Sequence, residues 1–397
     1  MPPITVTREV KIPDPVRLER YRRLPELGSS VLFFTGGTAL KGLSRELTTY
    51  TRNSIHLLTP FDSGGSSAKL RQVFNMPAVG DVRSRLMALA DDSITGNPEV
   101  YALANYRLSE QATGVALLQE LEDLIAGQHP LIRSVPNPMR RLIRLQLGFF
   151  REAMPEHFDL AGASIGNLIL TGGYLNYQEH LDPILFLFSK LLVVQGIVRP
   201  IVNDPLHLAV QLENGETVLG QHLFTGKEVP PIASRISRMW LSGSAQMDQP
   251  AVVQLRKKVA KLIHDADLIC YPPGSFYSSI IATLLPDGVG RAVARNASPK
   301  VYVPNLGVDP EQFGMNLTDS IETLLQYLRQ GVGDKVEDTH LLNYVLVDNE
   351  LSRYDAGLSR SWFRKRGIEL IQTELVTEAS APYYDNARLA QALLSLT

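Results

Sequence analysis

The sequence predicts an α/β protein built on an open, mostly parallel, doubly wound sheet, with an inserted helical cap and a β-hairpin. Three observations favour this fold class. Short apolar runs alternate with helical patterns at both ends of the chain, these runs end repeatedly in Gly, Asn, Asp or Ser, and the block 99–181 has helical periodicity throughout. Ligands of such sheets bind at the carboxyl ends of the strands, so those ends are where a site is expected.

The first two predicted strands, 31–35 and 55–59, both run into loops rich in glycine and hydroxyl residues. The first loop contains Gly36-Gly37-Thr38 and the second contains Gly64-Gly65-Ser66-Ser67. Neighbouring strand ends of this kind place flexible backbone amides side by side, and such amides bind phosphate groups. The segment 31–92 therefore predicts a phosphate-binding edge, although it does not name a reaction.

The remaining elements follow from periodicity and from turn residues. Helices are predicted over 101–125, 139–153, 162–178, 255–263, 278–285, 318–328 and 386–394. Strands are predicted over 201–202, 206–210, 217–219, 267–270, 300–303, 341–347 and 367–371. Asn214-Gly215 favours a tight hairpin turn. The apolar stretch 184–197 is interpreted as a buried helix, because polar residues interrupt it and it is too short to span a membrane.

Residues 1–29 are interpreted as a charged lead-in, and 30–397 as a single domain with a helical insertion at about 99–181. The 397 residues carry a formal net charge of -2, which argues against a general nucleic-acid-binding protein. The single cysteine, Cys270, permits no internal disulfide, which is typical of proteins in a reducing compartment. No signal peptide is visible, so a cytoplasmic location without membrane attachment is expected. The eight histidines show no metal-binding spacing.

Two glycine patterns resemble known nucleotide-binding motifs but lack essential residues. The segment 37–42 has the glycine spacing of a P-loop, but Leu43 follows it, and the segment 220–227 has five residues between its glycines and is followed by Glu228. Neither supplies a lysine together with a magnesium-binding hydroxyl, which excludes Walker-type ATPase chemistry. The GxGxxG spacing is also missing, which argues against a nicotinamide dinucleotide site.

Asp62 is the best catalytic candidate, because an acid at a strand end can hold a magnesium ion or accept a hydroxyl proton. The alternative is an ordinary exposed turn, since Asp, Gly and Ser are common turn residues. Asp81 is interpreted as a helix cap, and Arg83 either contacts a phosphate or lies on a solvated face. Asn167 either contacts a base or ribose or packs between helices.

Read in order, these motifs resemble the CofD-like family, which contains 2-phospho-L-lactate transferase and UDP-sugar-binding gluconeogenesis factors. The matching segments are 35–39 (TGGTA), 62–71 (DSGGSSAKLR), 77–83 (PAVGDVR), 166–168 (GNL), 272–280 (PPGSFYSSI) and 305–306 (NL). The resemblance covers about 30–350. The central helices match less well, which indicates a divergent bacterial branch. Chain length and variant glycines are similar to those of CofD-related proteins found beside kinase-like partners.

The resemblance implies a Rossmann-like fold and a nucleotide, UDP-sugar or deazaflavin-like ligand. It implies that Asp62 is catalytic and binds Mg²⁺, while Ser63 replaces the second acid of the family's D-D pair. The residues implied to bind the ligand or its phosphates are Gly36, Gly37, Thr38, Gly64, Gly65, Ser66, Ser67, Arg71, Arg83, Asn167, Gly274, Ser275 and Asn305.

Two functions stay open: a magnesium-dependent transferase that moves a phospho-acyl group from a nucleoside diphosphate donor to a hydroxyl acceptor, and a non-catalytic UDP-sugar-binding regulator. A homo-oligomer and a kinase-like partner also stay open.

Overall fold

The computed structural model describes residues 9–37, 39–333, 335–354 and 359–397, with Ser66 described by its backbone alone. The strands are β1 Val31–Thr35, β2 Ile55–Leu58, β3 Ile197–Pro200, β4 His207–Leu212, β5 Thr217–Leu219, β6 Ile236–Ser242, β7 Pro250–Ala251, β8 Leu268–Tyr271, β9 Lys300–Tyr302, β10 Tyr344–Asp348 and β11 Glu369–Thr373. The helices are α1 Pro15–Arg23, α2 Lys41–Thr48, α3 Gly65–Phe74, α4 Gly80–Ala88, α5 Pro98–Asn105, α6 Gly114–Ala126, α7 Pro130–Ser134, α8 Met139–Ala153, α9 Ile165–Asn176, α10 Leu181–Leu191, α11 Lys257–Asp265, α12 Ala282–Leu284, α13 Val289–Arg295, α14 Leu317–Arg329, α15 Arg360–Arg366 and α16 Asn386–Ser395.

The main sheet has seven strands in the order β11-β10-β9-β8-β1-β2-β3, and every neighbouring pair is parallel. From β1 the chain moves outward through β2 and β3, then returns to the other side of β1 and moves outward again from β8 to β11. The order therefore reverses between β1 and β8, and the predicted doubly wound parallel sheet is confirmed. In such sheets this reversal opens a crevice at the strand ends.

Both faces of the sheet are covered, and its central strands are mostly apolar and buried at every position. All five residues of β1 and all four of β2 are buried. Alternate side chains enter opposite layers: Leu32 and Phe34 pack on one face beneath the small sheet, α11, α13 and α14, whereas Val31 and Phe33 pack on the other face against α2 and α16. The lead-in joins this second layer, where the N–H of Asp14 donates to Ser395 Oγ at 2.8 Å.

A four-stranded antiparallel sheet, in the order β5-β4-β6-β7, packs over the first layer. The predicted hairpin is confirmed, since β4 pairs with β5 and Gly215 takes φ of +90° in the turn. The sequence did not predict β6, which pairs with β4 along most of its length.

Helices α5 to α9 lie in the block of about 99–181 that was expected as a cap, and α10 follows directly. These helices share one hydrophobic core with α3, α4 and the strands β2 and β3. The helix predicted over 101–125 is wrong, because the chain leaves it at Tyr106 and pairs with the segment before α9: the N–H of Leu108 donates to Ala163 O at 2.9 Å. The helix predicted over 184–197 ends at Leu191, and its last residue, Ile197, begins β3. Within the described ranges no helix is long and apolar enough to cross a membrane.

Candidate functional site

A cavity of about 330 Å³ lies where the strand order reverses, between the carboxyl ends of β1 and β8. The main sheet supplies the loops after β1, β2 and β8, the helical block supplies one wall, and the small sheet supplies another. Of the residues implied by the sequence, those that line the cavity are Gly36, Gly37, Asp62, Gly64, Gly65, Ser67, Arg83, Asn167, Gly274 and Ser275. The structure thus brings together side chains that lie up to 239 residues apart in the chain.

Two acids, Asp62 and Asp81, face the cavity close to each other. Burial raises the pKa of Asp81 to about 7, and the negative charge of Asp62 contributes to this rise. Burial also raises the pKa of Asp62, although the N–H of Gly64 and the charge of Arg71 act in the opposite direction. Two partly desolvated carboxylates in one cavity repel each other, so a cation between them would be strongly favoured.

The backbone amides of the loops after β1 and β2 already contact these acids. The N–H of Gly37 donates to the Asp81 carboxylate, and the N–H of Gly64 donates to Asp62 Oδ1 at 3.1 Å. A Cβ on Gly37 would lie 2.6 Å from Asp81 Cγ, so this position requires glycine for space. The amides expected to bind an anion directly instead hold the two acids in place.

The first glycine loop is fixed from behind by Arg85, which is fully buried beneath it. Its guanidinium donates to the carbonyl oxygens of Gly36 at 3.0 Å and Gly37 at 3.2 Å. Burial lowers the pKa of Arg85 to about 10, while the charge of Asp81 opposes that effect. This arginine therefore stays charged at neutral pH and positions the loop against Asp81.

The loop after β8 also uses protein acceptors for its amides. Asn305 Oδ1 accepts from the N–H of Gly274, Asp309 Oδ2 from that of Phe276, and Glu311 Oε2 from that of Ser278, each at 2.7 Å. Burial raises the pKa of Glu311 to about 7, with a further contribution from the charge of Asp309. These acceptors occupy amides at the start of the helical turns after β8, where the resemblance had implied that Gly274 and Ser275 bind the ligand or its phosphates.

Three cationic side chains line the same cavity as the acids: Arg83, which follows Asp81 on α4, together with Arg107 and Lys227. Arg83 is 9% exposed, its Nε has no hydrogen-bond partner within the described residues, and its Nη1 lies 3.5 Å from Ala104 O. Burial lowers the pKa of Arg83 to about 10, and the charge of Arg107 contributes. A buried guanidinium with this little compensation favours a bound anion.

Four of the implied residues occupy other positions or fall outside what is described. Arg71 does not line the cavity: its guanidinium donates to four backbone carbonyls, including Leu206 O at 2.6 Å. Asn305 holds the backbone of Gly274 and lines two neighbouring cavities. Thr38 lies outside the described residues, and Ser66 is the second residue of α3, described by its backbone alone.

The sequence interpretation missed several cavity residues. Asp81 was interpreted only as a helix cap, but Val79 occupies the cap position of α4 and Asp81 faces the cavity. Lys227 ends the segment rejected as a P-loop and Glu228 follows it, and both reach the cavity from the connection between β5 and β6. A signal for Asp81 was present in its position, since an acid in the first turn of a helix near a glycine loop can serve a site as well as a cap.

The arrangement can hold a divalent cation and a phosphorylated group together. Among the described side chains, no group of three His, Cys, Asp or Glu is arranged to bind a metal by itself. Mg²⁺ commonly takes one or two carboxylates and completes its shell with water and substrate phosphates. Asp62 and Asp81 fit that requirement, and Arg83, Arg107 and Lys227 supply charge for the phosphates.

Comparisons with known proteins agree with this architecture. The chain is 26% identical over 381 residues to the gluconeogenesis factor of Bacillus subtilis, covering 92% of this chain and 97% of that protein. It is 27% identical over 341 residues to a putative gluconeogenesis factor of Thermotoga maritima, covering 85% and 84%. A crystal structure of a UPF0052-family protein from Bacillus halodurans shares the fold, with a TM-score of 0.66 and 22% identity over 92% of this chain and 99% of that one.

The family comparison matches nearly the whole α/β unit. The model described as 2-phospho-L-lactate transferase CofD covers residues 31–376, which include the main sheet, the helical block and every loop of the cavity described above. Because this match spans most of the chain, the protein belongs to the CofD family.

Proposed function

We propose that the cavity binds the diphosphate of a nucleotide-linked ligand together with Mg²⁺. The observation that carries the proposal is the pair of carboxylates, Asp62 and Asp81, held close together at the glycine loops in a cavity that Arg83 and Lys227 also line. In this chain Ser63 stands where the family pattern has a second acid, which leaves one fewer carboxylate for a metal ion. Asp81, in the first turn of α4, supplies a second carboxylate in its place.

Asp62 and Asp81 would hold the ion, and the ion would neutralise phosphate charge. The pKa of about 7 for Asp81 means that a cation can displace its proton near neutral pH. Arg83 and Lys227, which line the same cavity, would contact phosphate oxygens.

The same site supports group transfer as the bolder function. In that reaction the oxygen of an acceptor hydroxyl would attack the distal phosphorus of a nucleoside diphosphate donor. The bond from that phosphorus to the bridging oxygen would break, the nucleoside monophosphate would leave with the electron pair, and the hydroxyl proton would pass to solvent water. A deazaflavin-like molecule is one acceptor that the resemblance implies.

A non-catalytic, UDP-sugar-binding regulator is the second candidate. It is favoured by the relatives that match most of this chain, since both carry the name gluconeogenesis factor and neither name states a transfer reaction. Such a protein needs the cavity and its cations but no acceptor proton transfer. The cytoplasmic location, homo-oligomer and kinase-like partner expected above remain predictions.

Calorimetry separates these possibilities. We would titrate GDP, UDP-sugars and inorganic pyrophosphate into wild type, Asp62→Asn and Asp81→Asn, with and without Mg²⁺. Metal-dependent binding that both variants lose supports the proposed site. Tight binding without metal that neither variant changes removes the role of the acid pair, and absence of binding by every nucleotide overturns the proposal. Release of nucleoside monophosphate in the presence of an acceptor would distinguish the transferase from the regulator.

A further inference from the structure

A short segment of the small sheet lies across the glycine loop after β2. We name residues 226–231 the flap tip. It is held at both ends by core side chains, since Phe224 is fully buried before it and Ile232 is 8% exposed after it. Gly220 and Gly226 take φ of +101° and +67°, a backbone region that favours glycine. The flap tip is therefore a connection between two fixed points, and glycines allow its sharp changes of direction.

Glu228 connects the flap tip to the start of α3. The N–H of Gly65 donates to Glu228 Oε1 at 3.3 Å, and a Cβ on Gly64 would lie 2.6 Å from the same oxygen. A carboxylate in this position is favoured because the first turn of a helix carries unpaired N–H groups and a partial positive charge. A phosphate oxygen has the same preference for this position.

A second set of contacts joins residues 221–222, which we name the flap base, to the loop after β2. Ser63 Oγ and His222 Nδ1 lie 2.8 Å apart, and the N–H of His222 donates to Ser63 Oγ at 3.2 Å. The N–H of Ser63 donates to Gln221 Oε1 at 3.2 Å. Ser63, which stands where the family pattern has a second acid, thus binds the small sheet. These contacts do not involve Glu228, so the flap base remains attached when Glu228 leaves Gly65.

We propose that Glu228 is an internal competitor for the anion site at the start of α3, and that a bound diphosphate replaces its carboxylate at the Gly65 amide while Lys227 turns toward the phosphate. The inference rests on the proposed function. Three acids, Asp62, Asp81 and Glu228, line one cavity. A diphosphate adds negative charge beside Glu228, which favours release of that side chain, whereas Lys227 on the neighbouring position attracts the ligand. Consistent with this geometry, the charge of Glu228 raises the pKa of Asp62, and that of Lys227 lowers it.

The test measures binding of inorganic pyrophosphate in the presence of Mg²⁺ by calorimetry. Glu228→Gln should bind roughly three- to tenfold more tightly than wild type, because the charged competitor is gone. Lys227→Met should bind more weakly by about the same factor. Glu216→Gln is the matched control, since it removes one exposed negative charge from the β4–β5 connection of the same sheet and should leave affinity unchanged. Thermal melts verify that all variants are folded.

The affinity of Glu228→Gln relative to wild type decides whether Glu228 competes with the ligand. Equal affinity of Glu228→Gln and wild type overturns the competition. Weaker binding by Glu228→Gln also overturns it, and assigns Glu228 to the metal or ligand instead. If wild type binds pyrophosphate and Asp62→Asn does not, the proposed function stands whatever Glu228 does. If neither wild type nor Glu228→Gln binds, the proposed function falls and this inference falls with it.

Discussion

The loop after β2 and the loop after β8 both join a buried strand to a helical segment through glycine and hydroxyl residues. At the first, Asp62 of the loop itself and Asp81 of α4 face the cavity. At the second, Asp309 and Glu311, which follow β9, accept from the amides of Phe276 and Ser278, and Glu311 is only 1% exposed. Loops of similar composition therefore have two roles: one lies beside acids that face a cavity, and the other has its backbone amides satisfied by buried acids from elsewhere in the chain.

The largest expected effect is on ligand affinity and comes from removing an acid that faces the cavity. Asp81→Asn should lower affinity for pyrophosphate with Mg²⁺ on the order of 100-fold, because it removes one of two carboxylates for the cation. Calorimetry measures the change. Glu311→Gln is the control, since its carboxyl has a similarly raised pKa but does not line the cavity. Equal losses in both variants would contradict the division between the loops.

The next effect is on stability and comes from removing an acid that accepts from buried backbone amides. Glu311→Ala should lower the free energy of unfolding by about 2–3 kcal/mol, because the buried N–H and hydroxyl of Ser278 lose their acceptor. Urea denaturation measures this loss. Pyrophosphate affinity of the folded variant should stay within about twofold of wild type. A variant that keeps its stability but loses binding would reverse the roles of the two acid pairs.

The pH dependence of stability sharpens the comparison. The pKa of Asp81 is about 7 in the folded, ligand-free protein and 3.8 for an ordinary aspartate, so between these values the folded state holds the extra proton. Its contribution to stability is therefore present at low pH and is lost as pH rises from about 4 to 7. Relative to wild type, Asp81→Asn should gain about 1–2 kcal/mol across that window, less than the full shift implies because the cavity admits water.

Glu311→Gln should gain stability in the same direction, as pH rises from about 4.5 to 7, because the pKa of Glu311 is raised to about 7 from 4.5. Mg²⁺ with pyrophosphate should abolish the difference for Asp81→Asn and leave that for Glu311→Gln. Denaturation curves at several pH values, with and without the ligand, provide the measurement. A response of Glu311 to the ligand would show that both loops serve one site.

The smallest expected effect concerns the basic wall. Arg83→Met should weaken pyrophosphate binding roughly five- to tenfold, since the substitution keeps a long apolar stem and removes the charge. Arg141→Met, on the exposed side of α8, is the matched control and should have no effect. If both arginines contribute equally, the charge of the protein as a whole is responsible, and Arg83 has no local role.

The strand ends were predictable because their signals are local. An apolar run followed by glycine and hydroxyl residues fixes where a parallel strand stops, and the loops with Gly36, Asp62 and Gly274 were found in this way. The strand β3 was not, because it has four residues at the edge of the sheet and adjoins a helix of similar hydrophobicity. The break near Tyr106 was missed because the helical spacing of apolar residues continues across it.

The site was predictable only where a strand end carried it. Asp81 lies near Asp62 because α4 packs below the first glycine loop. Glu228 contacts Gly65 although the two residues are 163 positions apart in the chain. Neither contact leaves a pattern in the local sequence. The loop after β8 shows the converse, since its acceptors Asp309 and Glu311 come from beyond β9 and local composition could not reveal that its amides were occupied.

The contact between Ser63 and His222 has a consequence for how relatives of this chain diverge. An aspartate at position 63 would place a further negative charge beside Asp62 and Glu228 and would change the partner that His222 meets. A change at either position alone thus disturbs the contact between the loop after β2 and the segment that follows β5. We expect serine at 63 and histidine at 222 to be inherited together, so that aligned relatives that regain the second acid also replace the histidine.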